Sequence, residues 1–161
     1  MPVIYLALGS NVGDSNTYIN ESIQLLKNRL TDTKEAPRYT SKAVGYTDQA
    51  DFINTAIRAN TNLSPKELLD FVKSVEEKVG RIKRFRWGPR EIDVDIIFYD
   101  DQIINETGLH IPHARFSERD FVLKPLRDLA PNFVDPRSKQ TVKALLDKLP
   151  PSELSIYRAM A

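Results

Sequence analysis

The chain has 161 residues, a formal net charge of +1 and no cysteine. That length suffices for one domain, residues 1–161, with a substantial hydrophobic core. The lack of cysteine excludes disulfides, thiolate metal sites and thiol catalysis. The balanced charge favours neither nucleic acid nor membrane as a partner, and apolar runs fall well short of the roughly 20 residues that span a bilayer. Because the N-terminus lacks the basic region of a secretory signal, we expect a cytoplasmic protein.

The first half of the chain alternates between predicted strands and helices. Residues 3–8 form an apolar strand that ends at a Gly-Ser-Asn turn, and a helix capped by Asp14 or Ser15 follows. Extended chain near Tyr39 leads through a loop to a strand over residues 52–59. The first helix is expected to bury Ile19, Ile23, Leu26 and Leu30.

The second helix has the clearest predicted boundaries. Ser64 suits the N-cap, Pro65 the first turn and Glu67 the third helical position, which together form the pattern of a capping box. Gly80 suits the left-handed residue that commonly ends a helix. The apolar stripe of this helix consists of Leu68, Leu69, Val72, Val75 and Val79.

The segment after the second helix combines cations with carboxylates. Its five cations are Arg81, Lys83, Arg84, Arg86 and Arg90, and its acids are Glu91, Asp93 and Asp95. Guanidinium groups bind phosphate oxygens in pairs, whereas carboxylates bind Mg²⁺, which usually bridges them to the phosphates of a substrate. The segment therefore predicts a metal–polyphosphate site and nucleotide-dependent phosphoryl chemistry.

Asp93 and Asp95 lie in a predicted strand, residues 91–99, which reads E-I-D-V-D-I-I-F-Y. Alternation of period two places both aspartates on one face, and Ile97 and Tyr99 are expected to continue that face. Two carboxylates at neighbouring positions of one face can share two metal ions ~3.5–4 Å apart. An exposed strand whose polar face is merely acidic is the alternative interpretation.

The element order β-α-β-β-α-β predicts an α+β fold of the ferredoxin-like type, an antiparallel sheet with helices packed on one face. A helical C-terminal appendage is expected to follow. Proline is expected to separate its short segments at Pro112, Pro125, Pro131 and Pro136. The last helix is expected to bury Val142, Leu145, Leu146 and Leu149.

Three further patterns in the sequence suggest other functions. His110 and His113 resemble a metal pair, but Pro112 favours extended chain and no third ligand is adjacent. Gly9 and Gly13 lack the spacing of a dinucleotide-binding turn and more readily form a turn at the floor of a site. Ferredoxin-like sheets with basic loops also bind RNA, so an RNA- or nucleotide-binding module without catalysis remains the alternative function.

Four segments resemble the 6-hydroxymethyl-7,8-dihydropterin pyrophosphokinase family of folate biosynthesis. They are G-S-N at residues 9–11, G-Y-T-D-Q-A-D-F-I-N at 45–54, R-W-G-P-R-E-I-D-V-D-I at 86–96, and I-P-H at 111–113 with E-R-D-F-V-L-K-P-L at 118–126. The resemblance covers nearly the whole chain and implies a ferredoxin-like fold. It also implies transfer of the β,γ-pyrophosphoryl group of ATP to the hydroxymethyl oxygen of the pterin, with AMP as the other product.

The resemblance also implies roles for individual residues. Asp93 and Asp95 would hold two Mg²⁺ ions, and Arg81 and Arg90 would contact the triphosphate and stabilise the transition state. The remaining ATP-site positions would be Lys83, Trp87, the backbone near Ile96, His110, His113 and Arg119. The pterin ring would stack between Phe52 and Phe121, Asn54 would bind its edge, and Ser41, Lys42 and Val44 would complete the site.

Some positions depart from the usual family pattern. Lys83 stands where an arginine is common, and Lys42 and Ala43 stand in a loop that is commonly proline-rich. Ala114 stands where an aromatic residue is frequent, and the basic loop between Arg81 and Trp87 is short for the family. These departures affect the expected affinities for the substrates and do not involve the aspartate pair.

We expect a monomer or weak dimer. Residues 41–51 and 81–90 are expected to close over the substrates as lids.

Overall fold

The computed structural model describes residues 1–42, 50–80 and 91–150, together with the backbone of residues 156–159. Its strands are β1 (Val3–Ser10), β2 (Thr31–Glu35), β3 (Tyr39–Ser41), β4 (Phe52–Asn60), β5 (Asp93–Tyr99), β6 (Ile104–Glu106), β7 (Leu109–Ile111) and β8 (Ile156–Ala159). The main sheet has the order β5-β1-β4-β3-β8, and β2 pairs with β4 beyond the end of β3. All its strand pairs are antiparallel. β6 and β7 form a separate hairpin.

The helices are α1 (Ser15–Leu26), α2 (Pro65–Val79), α3 (Asp120–Leu129) and α4 (Val142–Asp147). The Asp14 carboxylate accepts from the backbone N–H of Thr17, which confirms it as the cap of α1. Ser64 and Glu67 form both hydrogen bonds of the predicted capping box in α2. Gly80 ends α2 with a φ of 107°, in the left-handed region that glycine adopts readily.

Helices cover both faces of the main sheet. On one face, side chains of α1 and α2 pack against alternate residues of β1, namely Ile4, Leu6 and Leu8. On the other face, α3 and α4 pack against Tyr5 and Ala7. The ferredoxin-like prediction is confirmed by the βαββαβ core, but the C-terminal helices add a second layer to the face that such a core leaves open.

A β-bulge divides β5 into two halves. Leu6 of β1 pairs with Ile96 and Tyr5 pairs with Phe98, so Ile97 is an extra residue without a partner position in β1. The bulge reverses the alternation, and Tyr99 joins the cluster on the α1/α2 face, where its hydroxyl donates to the Leu63 carbonyl at 2.6 Å. The prediction that Tyr99 continues the aspartate face is therefore wrong.

The C-terminal segments also differ from prediction at one proline. Pro125 lies inside α3 and is buried, so the expected break at this position is wrong. Proline removes a single helical hydrogen bond, and the apolar face formed by Val122, Leu123 and Leu126 is buried against the sheet on both sides of it. No helix in the described part of the chain is long and apolar enough to cross a membrane.

Candidate active site

One row of paired residues crosses four strands near the end of the sheet. Asp93 of β5 lies opposite Gly9 of β1, Gly9 lies opposite Asn54 of β4, and Asn54 lies opposite Tyr39 of β3. Directly paired residues of antiparallel strands project to the same face. The register therefore brings together four residues that lie far apart in the sequence. They offer a carboxylate, a glycine without a side chain, a carboxamide and a phenol.

The predicted metal ligands lie at one end of this row. Asp93 and Asp95 are half-buried, and their partners Gly9 and Ala7 show that both project towards the α3 face. The backbone N–H of Val94, between them, points to the outer edge of the strand and donates to Glu76 Oε2 at 2.8 Å. A helix carboxylate thus fixes the strand edge at the position that carries the aspartate pair.

A cavity of about 500 Å³ runs along this edge of β5. Its wall includes all the described residues assigned by resemblance to ATP and its metal ions. They are Asp93, Asp95, Ile96, His110, His113 and Arg119. Glu76 and Lys73 of α2 line the opposite side of the cavity. Ala114 is exposed at its rim, and its small side chain leaves the rim open at the position where the family pattern commonly has an aromatic residue.

His113 is held as a neutral imidazole beside Asp95. Burial, assisted by the charge of Arg119, lowers its pKa to about 4, although Asp93 acts in the opposite direction. The backbone N–H of Arg115 donates to His113 Nδ1 at 3.2 Å, which leaves the proton on Nε2. This nitrogen lies 4.0 Å from Asp95 Oδ2, so a hydrogen-bond donor faces the space next to the aspartates.

The other end of the row forms a polar floor. Asn54 is buried, and its amide nitrogen donates to Ser41 Oγ at 2.7 Å. A Cβ atom at Gly9 would lie 3.2 Å from Asn54 Oδ1 and 3.6 Å from Phe52 Cδ1. Glycine therefore keeps the surface between Asp93 and Asn54 open.

Phe52 and Phe121, the two aromatic residues assigned to the pterin, lie on strand β4 and helix α3 of this face. Both are half-buried, and Phe121 lies in the first turn of α3. The guanidinium carbon of Arg119 lies 5.7 Å from the centroid of the Phe121 ring, which connects the aromatic side of the site with the cavity beside β5. Lys42 is exposed at the end of β3.

Several predicted site residues lie outside the described residues. They are Val44, Arg81, Lys83, Trp87 and Arg90, and most of the two predicted lids lies there too. Their assignments stay predictions.

The described donors fit Mg²⁺ better than zinc. Among residues 1–42, 50–80 and 91–150, no three His, Cys, Asp or Glu side chains cluster as a metal site. A magnesium ion needs only one or two protein carboxylates because it takes its remaining ligands from phosphates and water. Asp93 and Asp95 supply two such carboxylates, whereas His110 is exposed at the rim.

Sequence reasoning missed two residues of this site. Glu76 lies one helical turn after Val72, within the buried stripe of α2. A carboxylate is rarely buried unless it has a partner, so its position in this stripe indicates a functional or structural contact. Tyr39 has no comparable signal, because its place beside Asn54 depends on the pairing of β3 with β4.

Several known proteins are similar to this chain in sequence or in fold. The profile of the family described as 7,8-dihydro-6-hydroxymethylpterin-pyrophosphokinase matches residues 5–131. The chain is 44% identical over 143 residues to 2-amino-4-hydroxy-6-hydroxymethyldihydropteridine pyrophosphokinase of Aquifex aeolicus, covering 89% of both chains. It is 42% identical over 129 residues to the Bacillus subtilis protein of the same name, covering 79% of this chain and 77% of that one.

Longer proteins contain a similar region. The chain is 42% identical to part of the folic acid synthesis protein FOL1 of Dictyostelium discoideum and spans 22% of that protein. A Plasmodium falciparum HPPK-DHPS structure with pterin and p-hydroxybenzoate superposes with a TM-score of 0.72 at 17% identity, covering 91% of this chain and 41% of that one. At this identity the superposition shows a shared fold.

Proposed function

Because the chain belongs to the 7,8-dihydro-6-hydroxymethylpterin-pyrophosphokinase family, we propose that it catalyses a pyrophosphoryl transfer in folate biosynthesis. The β,γ-pyrophosphoryl group of ATP passes to the hydroxymethyl oxygen of 6-hydroxymethyl-7,8-dihydropterin. The new bond joins this oxygen to the β-phosphorus, the bond from the β-phosphorus to the α,β-bridging oxygen breaks, AMP leaves, and the hydroxyl proton is released. The observation that best supports this reaction is the row of paired residues from Asp93 to Asn54, in which a carboxylate and a buried amide lie on either side of Gly9.

The acidic end of the row suits the triphosphate. Asp93 and Asp95 would hold two Mg²⁺ ions, which neutralise phosphate charge and align the oxygens of the reacting groups. Arg81 and Arg90 would bind the triphosphate from the opposite side. His113 presents Nε2–H towards the same space, and as a neutral group it can donate to a phosphate oxygen without competing with the metal ions for the aspartates.

The outer edge of β5 suits the nucleoside. Glu76 contacts this edge at Val94, and the backbone N–H of His113 donates to the Ile97 carbonyl at 3.2 Å. Ile96 lies between these two contacts on the cavity wall. Its backbone would bind the adenine edge, with His110, Arg119, Lys83 and Trp87 as further contacts.

The floor around Asn54 suits a flat heteroaromatic ring. Phe52 and Phe121 offer aromatic surfaces for stacking, and the Asn54 carboxamide, held by Ser41, offers a donor and an acceptor for the pyrimidinone edge. Lys42 and Val44 would complete the site. Gly9 leaves the open space between Asn54 and Asp93, so the hydroxymethyl group could reach the metal-bound phosphates.

Several wider properties belong to this proposal. Residues 1–161 act as one domain, which is supported by two hydrophobic clusters on opposite faces of one sheet. The protein works in the cytoplasm as a monomer or weak dimer and has small-molecule substrates. Catalysis consists mainly of alignment and charge neutralisation, as is general for phosphoryl transfer.

Product analysis tests the proposed function. The protein is incubated with ATP, Mg²⁺ and 6-hydroxymethyl-7,8-dihydropterin, and the nucleotides are separated by anion-exchange chromatography. We expect AMP that forms only when the pterin is present, with one pterin diphosphate for each AMP. Formation of ADP would place the attack on the γ-phosphorus and contradict the proposal. A folded protein that turns over no nucleotide would favour the binding-module alternative.

A further inference from the structure

Tyr39 extends the row of site residues beyond Asn54, on β3. It is 6% exposed, and its hydroxyl donates to the Asp128 carboxylate of α3. The Lys124 ammonium lies 5.6 Å from the centroid of the Tyr39 ring. Burial and the neighbouring Asp128 both raise the pKa of Tyr39, so the phenol keeps its proton and remains a donor. Two residues of one helix therefore hold one buried tyrosine of the sheet.

These two residues lie on the same side of α3 as Phe121. Lys124 and Asp128 follow Phe121 by three and seven positions, which is the spacing of residues that share one helical face. A helix that is held at Tyr39 cannot rotate or slide without moving Phe121. Next to Tyr39 in the row, Asn54 is joined to the same strand, β3, through Ser41.

We propose that Tyr39 and Asp128 are positioning residues, which hold α3 against β3 and so set the distance between Phe121 and the amide floor at Asn54. Neither residue touches the substrates. This proposal rests on the proposed function, because it assigns Phe121 and Asn54 to the two sides of the pterin site. The contact fixes the width of that site and has a smaller influence on the nucleotide cavity along β5.

The test compares two tyrosine-to-phenylalanine variants. Tyr39→Phe removes only the hydroxyl and keeps the ring next to Lys124. Tyr99→Phe is the matched control, because Tyr99 is similarly buried at 4% exposure and its hydroxyl donates to the Leu63 carbonyl on the opposite face of the sheet. Affinity for the pterin is measured by titration calorimetry with Mg²⁺ and a non-hydrolysable ATP analogue present, and affinity for the analogue is measured separately.

We expect Tyr39→Phe to weaken pterin affinity roughly tenfold, in line with the cost of misplacing a binding group, and to change nucleotide affinity less. Tyr99→Phe should leave both affinities near the wild-type values. Equal pterin affinity in Tyr39→Phe and wild type, or equal losses in the two variants, would overturn the proposal.

A second pair of variants covers the case in which Tyr39→Phe does not fold. Asp128→Ala removes the acceptor and should weaken pterin binding, whereas Asp128→Asn keeps an acceptor oxygen and should restore most of it. Equal affinities in these two variants would also overturn the positioning role. A wild-type protein that does not bind the pterin would instead overturn the proposed function, so the two failures are distinguishable.

Discussion

Gly9 lies in the middle of the row of site residues, between the acid end and the amide end. Its position in β1 pairs it with Asp93 on one side and Asn54 on the other, and both neighbours project to its own face. Any side chain here would enter the space between the two groups that the proposed reaction brings together. The residue therefore contributes to the site through the volume that it leaves free.

Gly9→Ala should weaken pterin binding without removing a functional group. The added Cβ would lie 3.2 Å from Asn54 Oδ1, and Asn54 cannot move away easily because it donates to the buried Ser41 hydroxyl. We expect pterin affinity to fall about tenfold. The measurement is calorimetric titration of the pterin with Mg²⁺ and an ATP analogue. Affinity for the analogue in the same variant is the control, and a variant with wild-type pterin affinity would show that this space is not used.

His113 shows how far single residues can be predicted. The sequence placed it in the nucleotide site by resemblance, and the structure places it on the cavity wall. Its protonation depends on features that no motif contains, namely burial and a backbone N–H from Arg115 two residues later. The assignment of His113 to the nucleotide site stays a prediction from the sequence, whereas its tautomer could be inferred only from the fold.

At the scale of elements, a side-chain hydrogen bond from β5 to α2 stabilises the edge of the sheet. Glu76 is buried and accepts from the backbone N–H of Val94 at 2.8 Å. β5 is an edge strand of the described sheet, so no strand in the described ranges pairs with this N–H on that side. Because an orphaned buried N–H is costly, Glu76 stabilises the strand at the site of the aspartate pair.

Glu76→Ala should lower the free energy of unfolding by about 1–3 kcal/mol, the usual cost of leaving a buried polar group unpaired. Glu76→Gln keeps an acceptor oxygen and should cost less. Glu77→Ala is the matched control, since Glu77 is the next residue of the same helix and is exposed; it should change stability by no more than about 0.5 kcal/mol. Urea denaturation measures all three, and equal losses in Glu76→Ala and Glu77→Ala would contradict the role of this hydrogen bond.

The elements that the sequence predicted well are those with local causes. The capping box at Ser64 and the glycine stop at Gly80 depend only on neighbouring residues, and both are present. The bulge at Ile97 could not be predicted from neighbouring residues, because it is defined only by the pairing of β5 with β1. The predicted break at Pro125 was wrong for a related reason. Proline disfavours the interior of a helix, but burial of the surrounding apolar face of α3 outweighs this preference.

For the whole molecule, the two helical layers have different relations to the site. α2 borders the cavity along β5 through Lys73 and Glu76. α3 carries Phe121 and, at its N-terminal end, Arg119. Under the proposed function, the substrates would lie between groups from both layers and from the sheet. Ligands that bind only this assembled arrangement should stabilise the folded state as a whole.

We predict that an ATP analogue raises the melting temperature and that most of this increase depends on Mg²⁺ and on Asp95. At about 100 times its dissociation constant, a ligand adds about 2.7 kcal/mol, which corresponds to about 5–10 °C for a chain of this size. Chelation by EDTA or the substitution Asp95→Asn should remove most of this increase, because the triphosphate would then lack its bridge to the strand. Asp101→Asn is the control, since Asp101 is an exposed acid in the turn after the same strand. Differential scanning fluorimetry provides the measurement, and an increase in Asp95→Asn equal to that in Asp101→Asn would exclude Asp95 as a magnesium ligand.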